Sequence, residues 1–412
     1  MKAEIITVGT EILMGSIVNT NASFLARECA AMGLTSFYQV TVGDNEKRLT
    51  KLIQEARKRS DILIFSGGLG PTEDDLTKET VAKACGRELV EDPESRKWIE
   101  KLFTGWGRTP TENNWKQALV PEGALVLKND NGTAPGIILE HEGTHFILLP
   151  GPPHELIPLF RDKVKPYLET LSGTVFHSAM VKVVGIGESQ VEDELKDLID
   201  AQTNPTIATY AKPGEVGIRV TASADTEKKA KALVKPVVKE MKRRFGTNVY
   251  TTREEVSLEQ EVLKLLKKKG MTLSLAESCT GGLLAGRLVN VPGASKVFVS
   301  SAVTYSEKAK RQLVGVSGKT LRKYGAVSEE CALEMAKGAA KRLHTDCAIS
   351  VTGFAGPDGG TEKDPVGTVY IGVVIGDKSL CKKRFFNGTR EYVRNMAVTA
   401  ALVHFRELML SL

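Results

Sequence analysis

Cysteine is scarce and unpatterned in this 412-residue chain: the six thiols, Cys29, Cys85, Cys279, Cys331, Cys347 and Cys381, form no C-x-x-C pair and have no histidine at metal-finger spacing. That excludes a disulfide scaffold and a zinc finger, and a reducing compartment is expected. Long apolar runs are also missing. None reaches the ~18 residues that a membrane-spanning helix needs. Met1 leads straight into the β-branched stretch Ala3 to Val8, with no basic and then apolar leader. The expected location is the cytoplasm, with no membrane partner. The excess of positive charge is small, +6. It sits mostly in helix-patterned runs such as Lys228 to Arg244 and Lys264 to Lys269, which read as solvated faces, so no direct nucleic-acid contact is expected. There is no internal repeat, low-complexity tract or long disordered linker.

What is present is ordinary globular material, 42% apolar and 26% charged, in a chain long enough for three domains. The first stretch alternates β-branched runs (Glu4 to Val8, Asp61 to Phe65, Ile137 to Leu139, His145 to Leu149) with helix-patterned segments (Thr20 to Met32, Glu46 to Lys58), an α/β layer pattern. From about 170 to 250 the pattern becomes a small α+β module, with a hairpin expected at Lys212-Pro213-Gly214-Glu215. A capping-box sequence, Ser257-Leu258-Glu259-Gln260, then opens a second α/β unit. The expected architecture is two three-layer α/β domains, 1–168 and 253–412, joined by a module at 169–252.

Chemistry concentrates in glycine-rich loops that follow strand-like runs. Ala276-Glu277-Ser278-Cys279-Thr280-Gly281-Gly282 lies between the apolar run Met271 to Leu275 and the helix-like Leu283 to Val289, which puts a serine on a strand-to-helix turn. A helix opening there would offer free N–H groups and a positive dipole end to an oxyanion or phosphate, as acyl transfer or amide hydrolysis needs. Tyr305 and Lys310 follow, and then a second loop, Thr352-Gly353-Phe354-Ala355-Gly356-Pro357-Asp358-Gly359-Gly360. Together these read as one site. Competing readings stay open from the residues alone: Ser278 as an N-cap, Cys279 as a rival nucleophile or a small buried filler, and Lys310 as a solvated lysine. In the first domain, Gly67-Gly68-Leu69-Gly70-Pro71-Thr72 leads into Asp74-Asp75. Backbone N–H groups can hold phosphate while carboxylates hold Mg2+, so a nucleotide or pyrophosphate ligand fits that loop, as does a plain capped turn. His141-Glu142-Gly143-Thr144-His145 spells H-E-x-x-H, but the glycine and the β-rich flanks mark a hairpin turn and not the helix that a zinc protease requires.

This set of loops, with Pro150 to Glu155, resembles the CinA family of competence/damage-inducible proteins over essentially the whole chain. The resemblance implies a molybdopterin-binding-like first domain, which in some relatives hydrolyses ADP-ribose with a divalent metal (Mg2+ or Co2+). It implies a third domain like the bacterial amidase that converts nicotinamide mononucleotide (NMN) to nicotinate mononucleotide and ammonia without a cofactor. Carried over by residue, it makes Ser278 the nucleophile, Lys310 its base and Tyr305 a neighbour that orients or relays protons. Gly281, Gly282, Thr352, Gly353 and Arg390 contact substrate, with Arg394 the alternative to Arg390. In the first domain Gly67, Gly68, Gly70 and Thr72 would contact ligand, and the carboxylates available for metal are Asp75, Asp74, Asp44 and Glu11. A homodimer is implied. So is a rival role in which both α/β domains are scaffolds and the protein recruits a competence or recombination partner.

Overall fold

The computed structural model describes residues 1–173 and 175–412, and the chain divides into two compact units, 1–177 with 222–232 and 178–221 with 233–412. In the first unit a six-stranded sheet runs in the order Thr35–Val42, Lys2–Val8, Ile62–Ser66, Thr144–Leu149, Gly136–His141, Leu125–Leu127. The first four strands are parallel, and Gly136–His141 runs antiparallel to both of its neighbours, Thr144–Leu149 and Leu125–Leu127. Successive side chains on a strand face opposite ways, and here both faces are apolar. Ile5, Ile62, Ile64 and Ile147 enter one core with Phe24, Leu25 and Phe160, whereas Ile6, Leu63, Phe65 and Phe146 enter the other with Leu49, Ile53 and Val81. A run such as Ile62-Leu63-Ile64-Phe65 is what a strand covered on both faces requires. The expected three-layer α/β class is what forms.

The H-E-x-x-H string is a hairpin: His141 pairs with Thr144 across Glu142 and Gly143, both at positive φ (49° and 76°). Two imidazoles on one helix face are therefore impossible.

In the small module the sheet order is Thr206–Lys212, Glu215–Ala224, Val175–Val184, Val249–Thr251. The expected hairpin is there, with Lys212 opposite Glu215 and Gly214 at φ 75°. The C-terminal sheet runs Phe298–Val303, Leu273–Glu277, Cys347–Gly353, Thr368–Ile375, Lys378–Phe385, with the first three parallel. Leu273, Leu275, Ile349 and Ile371 pack with Leu263, Leu402 and Phe405 on one face. The opposite face uses small residues, Ala276 and Ala348, against Met335, Ala336 and Ala339. A Cβ on Gly372 would lie 2.6 Å from the Ala332 carbonyl oxygen, so the helix Glu329–Arg342 sits unusually close to the sheet. The capping box at Ser257 and Gln260 forms as expected.

Among the strands that were not legible in the sequence are Thr35–Val42 and Lys378–Phe385. Both are sheet edges and largely exposed, so neither carries the apolar run that marks a covered strand.

Candidate active site

Ser278 follows directly from the end of Leu273–Glu277, and its N–H donates to Val351 O at 2.8 Å, extending the pairing with the neighbouring strand by one residue. Gly281 and Gly282 then turn the chain at φ 59° and 98°, backbone that a side chain adopts only with strain. The serine is thus held at the carboxyl edge of a buried strand, 8% exposed. Lys310 comes from the helix Glu307–Val314, whose N-cap Ser306 accepts from Ala309 N. It is 2% exposed. Its Nζ donates to Ser278 Oγ at 2.8 Å and to Thr304 O at 2.8 Å.

That geometry removes two competing readings. Lys310 is no surface lysine, and Ser278 is no N-cap, because the helix Leu283–Val289 has no side-chain cap from its N-cap residue, Gly282. Burial pushes the Lys310 amine below the ordinary lysine range, against the raising influence of Cys331, Cys279 and Glu307. A neutral amine that touches a hydroxyl can take its proton. Burial also pushes the Cys279 thiol up to about 11, which keeps it protonated and a poor nucleophile.

The surrounding residues differ from expectation in several ways. Tyr305 is 63% exposed, and its hydroxyl accepts from Arg390 Nη2 at 3.0 Å; among the described residues it makes no hydrogen bond to Ser278 or Lys310. Thr352 is fully buried and its hydroxyl donates to Ala326 O at 2.8 Å, so this side chain braces the second loop. Gly353, next to it, is closed in: a Cβ there would sit 2.6 Å from Thr368 O. The helix N-terminus is not an open anion site either. Glu277, 0% exposed, accepts from Gly282 N, Leu284 N, Ala285 N and Ser301 Oγ. The two arginines divide their work. Arg390 Nη1 donates to Gly356 O at 2.6 Å, tying the second loop to Tyr305, whereas Arg394 donates to the carbonyls of Cys279 and Thr280. Neither Glu277 nor Arg394 was singled out from sequence with these partners. The signal for Glu277 was its position at the end of an apolar strand, where a carboxylate has to find donors.

In the first domain the loops after the four parallel strands meet at one rim and line a cavity of about 660 Å3. Gly67, Gly68, Gly70, Thr72, Glu11, Asp44, Asp74 and Asp75 all border it. The glycines are required by close approach: a Cβ on Gly67 would meet Val8 O at 2.3 Å, and one on Gly68 would meet Thr77 Oγ1 at 2.1 Å. Asp44 Oδ2 accepts from Thr10 N and Oγ1, and Asp75 Oδ2 accepts from Thr72 N and Oγ1. The acidic residues come from three separate loops, and among the described residues no three His, Cys, Asp or Glu side chains converge as a metal-holding group. Two bordering residues went unassigned in the sequence. Asn21 Nδ2 bridges Ser66 Oγ and Gly151 O, and Glu155, its carboxyl raised by burial, accepts from Asn129.

The fold and these sites define a multidomain α/β protein with a glycine-lined cavity in one layered domain and a buried serine–lysine pair in another. Family models match in three places: "Probable molybdopterin binding domain" at 4–170, "Damage-inducible protein CinA KH domain" at 178–251 and "CinA C-terminal domain" at 255–409. A competence-damage inducible protein of Clostridium beijerinckii is 52% identical over 410 residues, covering 100% of both chains. One of Alkaliphilus oremlandii is 48% identical over 402 residues, covering 98% of this chain and 97% of its own. The crystal structure of a CinA superfamily protein from Klebsiella pneumoniae is 34% identical and covers 38% of this chain and 97% of that one, at a TM-score of 0.37. The chain belongs to the CinA family of competence/damage-inducible proteins. Among the described residues no helix is long and apolar enough to cross a membrane.

Proposed function

We propose that the C-terminal domain hydrolyses the carboxamide of NMN, and that the contact between Lys310 Nζ and Ser278 Oγ, 2.8 Å in a buried setting, carries the reading. The neutral amine takes the Ser278 proton as Oγ bonds to the carboxamide carbon. The resulting ammonium protonates the leaving nitrogen, the C–N bond breaks, and ammonia departs from a serine ester. Water then attacks the ester, gives its proton through Lys310 to Ser278 Oγ, and leaves the product as nicotinate mononucleotide. The amine suits this task because burial has lowered its proton affinity. No metal enters this chemistry. Arg390 and Tyr305, both exposed and hydrogen-bonded to one another, supply polar groups at the mouth for the nucleotide phosphate. The purified chain should release ammonia from NMN in EDTA, and Ser278→Ala should not. Undiminished release by Ser278→Ala sinks the reading.

For the first domain we infer a site for a diphosphate-bearing nucleotide such as ADP-ribose, favoured by the glycine-lined cavity at the strand ends. Among the described residues Asp44 and Asp75 each keep Oδ1 without a protein donor, and they would hold a divalent metal that arrives with the diphosphate, since Mg2+ commonly needs only one or two carboxylates beside substrate oxygens. Bound there, the metal would neutralise charge on the phosphates. Release of AMP from ADP-ribose that needs both a divalent metal and Asp75 supports this; no AMP with Mg2+, Mn2+ or Co2+ removes it.

A further inference from the structure

Glu155 borders the N-terminal cavity from the first turn of the helix Pro153–Leu159, which Leu156 and Leu159 anchor in the core. Pro153 opens that helix, where a missing N–H is no loss. One carboxylate oxygen of Glu155 is engaged: Oε2 accepts from Asn129 Nδ2 at 2.7 Å. Asn129 is itself 1% exposed and fully tied, its Nδ2 donating also to Ala134 O at 2.9 Å and its Oδ1 accepting from Asn131 N at 3.0 Å. Trp98 Nε1 holds the same loop by donating to the carbonyls of Asn129 and Gly132. The loop closes tightly on the carboxylate, since a Cβ on Gly132 would lie 1.9 Å from Oε2. Oε1 accepts no hydrogen bond among the described residues; His154 Nε2 lies 3.8 Å from it on an exposed ring.

A carboxylate locked through one oxygen and open through the other is arranged for proton transfer. The remaining acidic residues of the cavity are less suited to it. Asp44 and Asp75 each commit Oδ2 to two donors and are assigned to the metal, and Glu11 and Asp74 are exposed. A base works best when its proton affinity lies near the working pH, and partial burial moves a carboxyl in that direction. Burial raises the Glu155 carboxyl above the ordinary range, against the lowering influence of Asn129 and His154. On either side of Asn129, Lys128 and Asp130 pair with one another at 2.6 Å, and Glu28 of the helix Thr20–Ala31 pairs with Arg161. His154 and the cavity carboxylates are the other ionisable groups about Glu155.

We propose that Glu155 is the general base of the N-terminal domain, taking a proton from the water that attacks the diphosphate, with Asn129 as the positioning residue that holds its carboxylate. The proposal rests on the diphosphate reading of this cavity and supplies the proton acceptor which that reading lacks. The water oxygen bonds to one phosphorus as its proton passes to Glu155 Oε1. The bridging P–O bond breaks, its electron pair stays with the departing phosphate, and Glu155 returns the proton to that phosphate. From ADP-ribose the products are AMP and ribose 5-phosphate.

The test compares Glu155→Gln with the wild type in the full chain, using ADP-ribose and Mn2+. The amide keeps an oxygen for Asn129 but is no base. AMP release should show kcat lowered about 10^2- to 10^4-fold with KM changed less than about 3-fold, as loss of a proton acceptor acts on the transition state. In the wild type kcat/KM should rise with pH through a limb centred above the ordinary glutamate value of 4.5, because the base works deprotonated and burial raises it, and this limb should be missing from the variant. Calorimetric binding of Mn2+ with AMP, which is not hydrolysed, should be the same in both proteins. A variant that keeps the wild-type kcat, or one that slows with the limb intact, overturns the proposal and leaves the diphosphate reading standing. Weakened binding of Mn2+ and AMP would make Glu155 a ligand and overturn it as well. No AMP from the wild type with Mg2+, Mn2+ or Co2+ would sink that reading and the proposal together.

Discussion

Each α/β domain buries a lysine beside a loop, and the two lysines do different things. Lys78 and Lys310 are both 2% exposed, and burial lowers both, Lys78 to about 8. Lys78 Nζ donates to the backbone carbonyl of Lys116, tying the helix Thr77–Ala84 to the short helical turn Glu112–Ala118. Lys310 Nζ donates to a backbone carbonyl and also to a serine hydroxyl. A depressed lysine is therefore no mark of catalysis by itself. What separates the two is the partner: Ser278 has a proton to give, and a carbonyl oxygen has none. The same contrast holds for the domains as wholes. In the C-terminal domain the serine and lysine meet directly, while the N-terminal cavity is bordered by glycine turns and by Asp44 and Asp75, each carboxylate held through its Oδ2.

The sharpest way to break the comparison is to exchange the charge of each lysine. Lys310→Arg puts a permanent cation where the account needs a neutral amine, so ammonia release should fall by about 10^3-fold or more. Lys78→Met should leave that rate within a factor of about 2, since Lys78 belongs to the other compact unit. In the wild type kcat/KM should rise with pH and level off below the ordinary lysine value of 10.5, because burial has lowered Lys310 and only its neutral form accepts the proton. A limb centred at or above 10.5 would count against a buried base.

Lys78 should declare itself in stability instead. Its folded pKa lies below the unfolded one, so the unfolded chain binds more protons between them. The penalty is fully present below about pH 8 and vanishes as pH rises toward 10.5. The slope is worth at most about 3 kcal/mol, and urea denaturation at pH 7 and pH 10 should show Lys78→Met losing that share of it.

A third comparison sets carboxylate against carboxylate. Glu277→Ala strips three backbone donors in a fully buried position and should cost about 2–3 kcal/mol by urea denaturation. Asp44→Ala removes an acceptor from a more open loop and should cost about 1 kcal/mol. Equal losses would mean that the C-terminal turn is no more rigidly built than the N-terminal loops. The smallest effect is expected at Thr368, whose buried hydroxyl has no hydrogen-bond partner among the described residues. Thr368→Val should shift stability by no more than about 0.5 kcal/mol, or raise it.

How much of this was readable before the fold was known depends on whether a residue's role is set by its own segment. The strand at Ile62 and the turn at Ser278 were legible because an apolar run covered on both faces and a Gly-Gly after it are local signals. So was the rejection of the histidine pair at His141. The edge strands Thr35–Val42 and Lys378–Phe385 were not, since an exposed edge has no apolar pattern to detect. At the site, Ser278 and Lys310 are 32 positions apart; both stood out as candidates in the sequence, but their roles came through family likeness, and their contact is a property of the sheet. Arg394 lies 115 positions from the carbonyl of Cys279 that it holds, and no spacing rule reaches that far. Thr352 misled for the opposite reason. It stands in the right loop, but its side chain faces inward to Ala326.

The central claim is that Ser278 and Lys310 work as one unit. The most direct measurement is ammonia release from NMN in EDTA by Ser278→Ala, Lys310→Met and the double variant beside the wild type. The account predicts that either single change removes nearly all turnover and that the double variant is no slower than the worse single one. Losses that multiply in the double variant, or a Lys310→Met enzyme that keeps most of its rate, would contradict it.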